Sequence, residues 1–237
     1  WLDNTAVYSD ERIVADTGSV DETRAIAASA GATVYDFPWC DDFAAARNFA
    51  IEKATGDWVA FFDADETLTT PERLRPLLAE VELLHPEAEA VQVVISNVDE
   101  EDGGGEFHRF MAVRLFKRQA TLSYRGRVHE TLVGEGGRLP VLYEEKYRLL
   151  VRHTGYAAKR VAEKARRNLA LLEADIEVHG EGPQHDRFLA DCFASLGRPA
   201  EALHYARRAI AAPLQAVGSQ SDMYFLVLQC LRWLDRP

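Results

Sequence analysis

Short apolar runs of β period alternate with longer segments of helical period over the first part of the chain. Residues 13–15 read as a strand ended by Asp16-Thr17-Gly18-Ser19. A helix is predicted over 20–30 and closed by Gly31, with Ser19 and Glu22 at the spacing of a capping box. A second strand over 33–37 stops at Pro38, and Asp41 and Asp42 then precede a helix with Phe43, Ala46, Ala50 and Ala54 on one face and Gly56 at its end. Residues 58–62 are a continuous apolar run leading into Asp63-Ala64-Asp65-Glu66. Strand, helix, strand, helix, strand predicts an α/β layer with a largely parallel sheet.

Thr70 before Pro71 marks a further helix start, and Pro76 predicts a kink or restart within it. Alternation over 90–98 predicts a strand. The acidic, glycine-rich stretch 99–106 reads as a solvated hairpin or loop. Further strands are expected over 107–117, around 128–132 and over 147–153, antiparallel and flanking the first sheet. Past residue 156 only helical periodicity remains. Val161, Ala165, Leu169, Leu172 and Ile176 form a stripe that Gly180 ends, and two helices follow around Gly197. Leu189, Ala190, Phe193, Ala202 and Ala209 fall on the small and large apolar positions of a tetratricopeptide repeat, and a last helix over 222–234 would cover the remaining apolar face. The expected division is an α/β domain over 1–156 and an all-α module like tetratricopeptide repeats (TPR) over 157–237.

A formal net charge of −11 argues against nucleic acid or an anionic membrane surface as the main partner and favours small molecules. Cys40, Cys192 and Cys230 are far apart and lack any C-x-x-C spacing, so they read as reduced thiols rather than a disulfide frame or a zinc site. With no apolar run long enough to span a bilayer and no signal-peptide order at the N-terminus, the expected location is cytoplasmic, without a transmembrane segment. Residues 1–7 read as the tail of an earlier element.

Asp63 and Asp65 are two apart at the end of an apolar β run, so both carboxylates are expected on one side, at the sheet edge where α/β proteins bind ligands. Two hard oxygen ligands suit Mg²⁺ or Mn²⁺ completed by a substrate diphosphate. A second reading takes residues 61–68 as a phosphatase motif of the haloacid dehalogenase kind, with Asp63 as nucleophile and Asp65 as acid/base. That motif normally occupies the first strand and needs a later lysine and an acidic pair, for which the chain offers no convincing candidates.

The wider context decides between them. Val14-Ala15-Asp16-Thr17-Gly18-Ser19-Val20-Asp21-Glu22-Thr23, Phe37-Pro38-Trp39-Cys40-Asp41-Asp42-Phe43-Ala44-Ala45-Ala46-Arg47-Asn48 and Ala54-Thr55-Gly56-Asp57-Trp58 run in order before the Asp63-Ala64-Asp65-Glu66 stretch. Arg114-Leu115-Phe116, Gly126-Arg127-Val128-His129-Glu130 and His153-Thr154-Gly155-Tyr156 follow it. Together they resemble family 2 glycosyltransferases of the GT-A fold, in the bacterial branch with C-terminal tetratricopeptide repeats. The resemblance implies a mixed sheet with flanking helices and a nucleotide-sugar donor, with a UDP-sugar expected. It implies that Asp16 contacts the nucleotide base with Ser19 and Asp21 nearby, and that Arg47 faces the nucleotide or its phosphates. Asp63 would lie near the ribose or reach the metal through water, Asp65 would bind the metal directly, and His153 is a candidate further ligand. Glu130 is the candidate base for an inverting transfer; a hydrogen-bonded His129–Glu130 pair ordering a loop is the competing account.

The first strand of the GT-A fold is absent from this sequence, which leaves two accounts: it lies upstream of Trp1, or donor binding is defective. A non-catalytic helical-repeat adaptor with a degenerate transferase part is therefore the alternative of another class. The acceptor, whether peptide, protein or a glycan- or lipid-linked sugar, is not specified. The helical module is expected to bind a peptide, pair two subunits into a homo-oligomer, or support the sheet.

Overall fold

The two periods become two kinds of structure in the computed structural model, which describes residues 1–99, 105–137, 139–143, 149–154, 161–212 and 220–235. The α/β part comprises α1 (Leu2–Ala6), β1 (Ile13–Asp16), α2 (Thr23–Ser29), β2 (Thr33–Asp36), α3 (Phe43–Lys53), β3 (Trp58–Ala60), β4 (Glu66–Leu68), a 3-10 turn (Pro71–Arg73) and α4 (Leu74–Leu84). It continues through β5 (Ala90–Asp99), β6 (Gly105–Lys117), β7 (Ser123–Arg125), β8 (Thr131–Val133), β9 (Val141–Tyr143) and β10 (Leu150–His153). Then come α5 (Val161–His179), α6 (Pro183–Ser195), α7 (Pro199–Ala211) and α8 (Gln220–Leu234). The chain divides into two compact units, Trp1–Arg125 with Glu130–Ala157, and Gly126–His129 with Ala158–Pro237. The boundary expected at residue 156 lies outside the described residues, as do Tyr147, Gly155, Tyr156 and 100–104 of the acidic stretch.

Local chemistry explains where the first helices start. Asp42 caps α3 by accepting from the Ala45 amide at 2.8 Å. The expected capping box at Ser19 does not form: α2 begins at Thr23 with Glu22 as its N-cap and no side-chain cap. The Ser19 hydroxyl instead donates to the Asp16 carboxylate at 2.5 Å, a charged acceptor. Pro76 lies in the first turn of α4, where its missing N–H is no loss, and the restart takes the form of the 3-10 turn ahead of Leu74.

The main sheet is mixed, as the resemblance implies, and departs from the largely parallel sheet that the hydrophobic period of the first segments predicts. β1 and β2 pair in parallel from Ile13↔Thr33 to Asp16↔Asp36. The main sheet runs β3-β6-β5-β10-β4, with β9 also on β5. Within it β3–β6, β6–β5 and β10–β4 are antiparallel, whereas β9 and β10 run parallel to β5. The departure has one cause: β6 returns directly from β5 and takes the place beside β3. The strand expected around 128–132 is shorter and later, as β8, which pairs with β7; Gly126 and His129 lie in the turn with φ of 95° and 55°.

The main sheet is covered on both faces. Val91, Val93, Ile95, Leu115 and Val151 pack with Leu74, Leu77 and Val81 of α4, while Ala90 and Phe116 pack on the other side with Ala44 of α3, Leu122, Tyr124 and Leu132. Among the described residues β1 and β3 are each paired on one side only, and Ile13 and Ala60 border the same cavities, of about 350 and 480 Å³. In the helical unit α5 packs on α6, α6 on α7 and α7 on α8. Of the expected repeat positions Leu189, Ala190, Phe193 and Ala202 are buried there, whereas Ala209 is only half-buried and Ala206 is buried in its place. No helix among the described residues is long and apolar enough to cross a membrane, and the three cysteines are free thiols.

Candidate active site

Asp16 ends β1 as one of the few buried acids, 6% exposed. Its Oδ1 accepts from both the Ser19 amide, at 3.1 Å, and the Ser19 hydroxyl, and Arg24 lies 3.7 Å from Oδ2. Oδ2 itself is buried without a hydrogen-bond partner among the described residues. The Ser19 hydroxyl bond holds this carboxyl below the ordinary carboxylate range, outweighing burial, with the Ser19 amide and Arg24 assisting. Asp21 is exposed and accepts from the Thr23 amide at 3.0 Å, which places it at the start of α2.

Arg47, on α3, is buried. Its Nη2 donates to Asp63 at 2.9 and 3.2 Å, and its Nε donates to Glu130. The guanidinium lies over Phe61 and Tyr124, 4.7 and 5.3 Å from the ring centroids. Burial works against its charge, but the carboxylates of Asp63 and Glu130 outweigh it and hold the group above the usual arginine value. Asn48, the next residue of α3, exchanges two hydrogen bonds with the Tyr124 backbone and so fixes β7 against this helix. Arg47 Nη1 and Tyr124 Oη are buried with no hydrogen-bond partner among the described residues. Arg47 and Asp63 border the 480 Å³ cavity together with Ala15 and Thr17, the neighbours of Asp16.

Asp63 and Asp65 do not leave a strand side by side. β3 stops at Ala60, and both acids lie in the link to β4, where they meet different partners. Asp65 Oδ2 is 3.4 Å from His153 Nε2, at the end of β10. His153 Nδ1 donates to Asn97 Oδ1 at 2.7 Å, which orients the ring with Nε2 toward the Asp65 carboxylate. Two acceptors so placed fit a divalent cation. Among the described residues no group of three or more His, Cys, Asp and Glu gathers, so further ligands would have to come from a bound diphosphate and water.

Two residues of the sequence motifs to which no role was given belong to this cluster. Glu66, 2% exposed, receives Arg114 Nε and Nη2 at 2.8 and 2.6 Å, and Arg114 Nη2 is 3.8 Å from Asp63. Burial opposes the Arg114 charge, and Glu66 together with Asp63 raises it above the usual value. Asn97, which orients His153, was likewise not anticipated; an asparagine inside a buried strand was its only trace. His129, which the competing account paired with Glu130, stacks its ring on Phe188 of α6 with centroids 3.9 Å apart.

The family model for glycosyl transferase family 2 matches residues 4–135. A TPR repeat-containing protein of Synechococcus elongatus is 37% identical over 70% of this chain and 42% of its own length. The SPbeta prophage-derived glycosyltransferase SunS of Bacillus subtilis is 29% identical over 96% of this chain and 53% of its own. The chain thus spans about half the length of these relatives. Among solved structures, the mannosyltransferase PcManGT from Pyrobaculum calidifontis, in complex with GDP-Man and Mn²⁺, superposes with a TM-score of 0.48 at 18% identity, covering 100% of this chain and 76% of its own.

Proposed function

We propose, because the chain belongs to glycosyl transferase family 2, that it moves a sugar from a nucleotide-diphosphate sugar to an acceptor with inversion, and that a UDP-sugar is its donor. One observation carries this reading: Arg47 joins Asp63 to Glu130 while its own Nη1 is buried without a hydrogen-bond partner beside the cavity. A buried, unpaired guanidinium N–H is a ready donor to a phosphate oxygen.

Asp16 Oδ2 would accept an N–H of the base at the far side of the cavity. Arg47 and Tyr124 would hold the diphosphate. Asp65 and His153 would hold Mg²⁺ or Mn²⁺, with Asp63 reaching it through water. A bound cation supplies neutralisation of charge on the departing nucleoside diphosphate. Glu130 would take the proton of the acceptor hydroxyl as its oxygen bonds to the anomeric carbon and the bond to the diphosphate breaks. The phosphatase alternative finds no support at Asp63, whose cations are Arg47 and Arg114 where that chemistry needs a lysine.

The base assignment has its own test. Glu130→Gln keeps the size of the side chain and a hydrogen bond to Arg47. Release of UDP from a UDP-sugar panel should fall about 10²–10⁴-fold, with binding of UDP unchanged. Turnover near the wild-type level would remove Glu130 from the mechanism.

A further inference from the structure

The link that carries Asp63 and Asp65 is held from one residue of a distant strand. β5 and β6 lose register between Val91 and Gln92: Val91 pairs with Leu115 and Gln92 with Val113, so Arg114 is the extra residue of a β-bulge. A bulge turns a side chain away from the direction its strand would give it. Arg114 uses both ends. Its carbonyl accepts from the Phe61 amide at 2.8 Å, just ahead of Asp63, and its guanidinium grips both oxygens of Glu66, just after Asp65. Glu66 in turn closes the link on itself: its Oε2 accepts from the Asp63 amide at 3.1 Å and its own amide donates to the Asp63 carbonyl at 2.9 Å. The Asp65 carbonyl accepts from the Thr154 amide at 3.1 Å.

We propose that Arg114 is a positioning residue which, through Glu66, sets where the Asp63 and Asp65 carboxylates meet the donor diphosphate and its cation. The role rests on the donor-site reading given above. Stability alone does not account for the pair, because a buried ion pair gains little over an apolar pair of the same volume. Its geometry instead constrains the two acids, as groups behind metal ligands do elsewhere.

The test uses Arg114→Lys, which keeps the charge but lacks the fork, and Glu66→Gln, which keeps the shape but lacks the charge. Two readouts are needed. In the metal-free protein, hydrogen exchange at the amides of residues 63–66 should quicken at least about tenfold in both variants, with the amides of β5 unchanged. In calorimetry, the extra affinity for UDP that Mn²⁺ confers should fall about 10–100-fold, while UDP binding without metal is kept. Unchanged exchange at 63–66 in a folded variant overturns the proposal, and so does an equal loss of UDP affinity with and without Mn²⁺. If one variant fails to fold, the other decides; if neither folds, the pair is structural and the proposal fails. Absence of any Mn²⁺ effect on UDP binding by the wild type would instead refute the donor-site reading, and the exchange readout would still judge Arg114.

Discussion

Asp16 shows how far a single residue can be read. Its position after a short β run was visible in the sequence, and so was Ser19 three residues on. That Ser19 would serve Asp16 and not the start of α2 was not, because α2 begins only at Thr23, which leaves Ser19 outside the N-cap position. The shift of Asp16 has a consequence for stability. Its carboxyl sits below the ordinary value of 3.8, so its contribution is complete above that pH and disappears as pH falls through the depressed folded value. Asp16→Asn should cost about 1 kcal/mol at pH 7, and the gap from wild type should close progressively below about pH 4 in denaturation measured across that range. A gap that stays constant or widens toward acid would contradict the assignment. Arg47 was legible as a residue that the resemblance turns toward the nucleotide or its phosphates, but not as the partner of Asp63 and Glu130. Its burial against Phe61 and Tyr124 needed β7, which the sequence had hidden.

At the scale of elements, length decided what could be read. β4 and β7 have three residues each, too few to show a period, and neither was anticipated. α3, with its Asp42 cap, and the long strands β5 and β6 were legible. The bulge that releases Arg114 was not, since one extra residue in a strand leaves the alternation around it intact. The helical unit has its own internal tie. His185, 3% exposed, donates from Nε2 to Asp175 on α5 at 3.0 Å and accepts at Nδ1 from the Gly182 amide at 3.0 Å. This links α5 to the start of α6 where the repeat pattern records only apolar positions. Removing the acceptor leaves a buried N–H unpaired, so Asp175→Ala should lower stability by about 1–3 kcal/mol. Chemical denaturation followed by circular dichroism would register it, and a change under about 0.5 kcal/mol would show that the bond contributes little.

On the scale of the whole molecule, the proposed function requires a chain with net charge −11 to accept an anionic donor. The cavity reconciles the two by placing Arg47 at its wall, with Arg114 behind Asp63, and in the proposed function a cation held by Asp65 and His153 would add the remaining positive charge. Nucleotide binding should therefore depend strongly on that cation. The α/β order, the strand over 107–117 and the helical last third were readable from hydrophobic period and the mixed sheet from the resemblance, whereas the place of β6 beside β3 was not, because it depends on long-range pairing. The most direct test of the account is calorimetric titration of UDP into the chain with and without Mn²⁺, repeated on Asp65→Ala. Binding that requires Mn²⁺ and is lost with Asp65 is the predicted result. UDP affinity that neither the metal nor the substitution alters would contradict it.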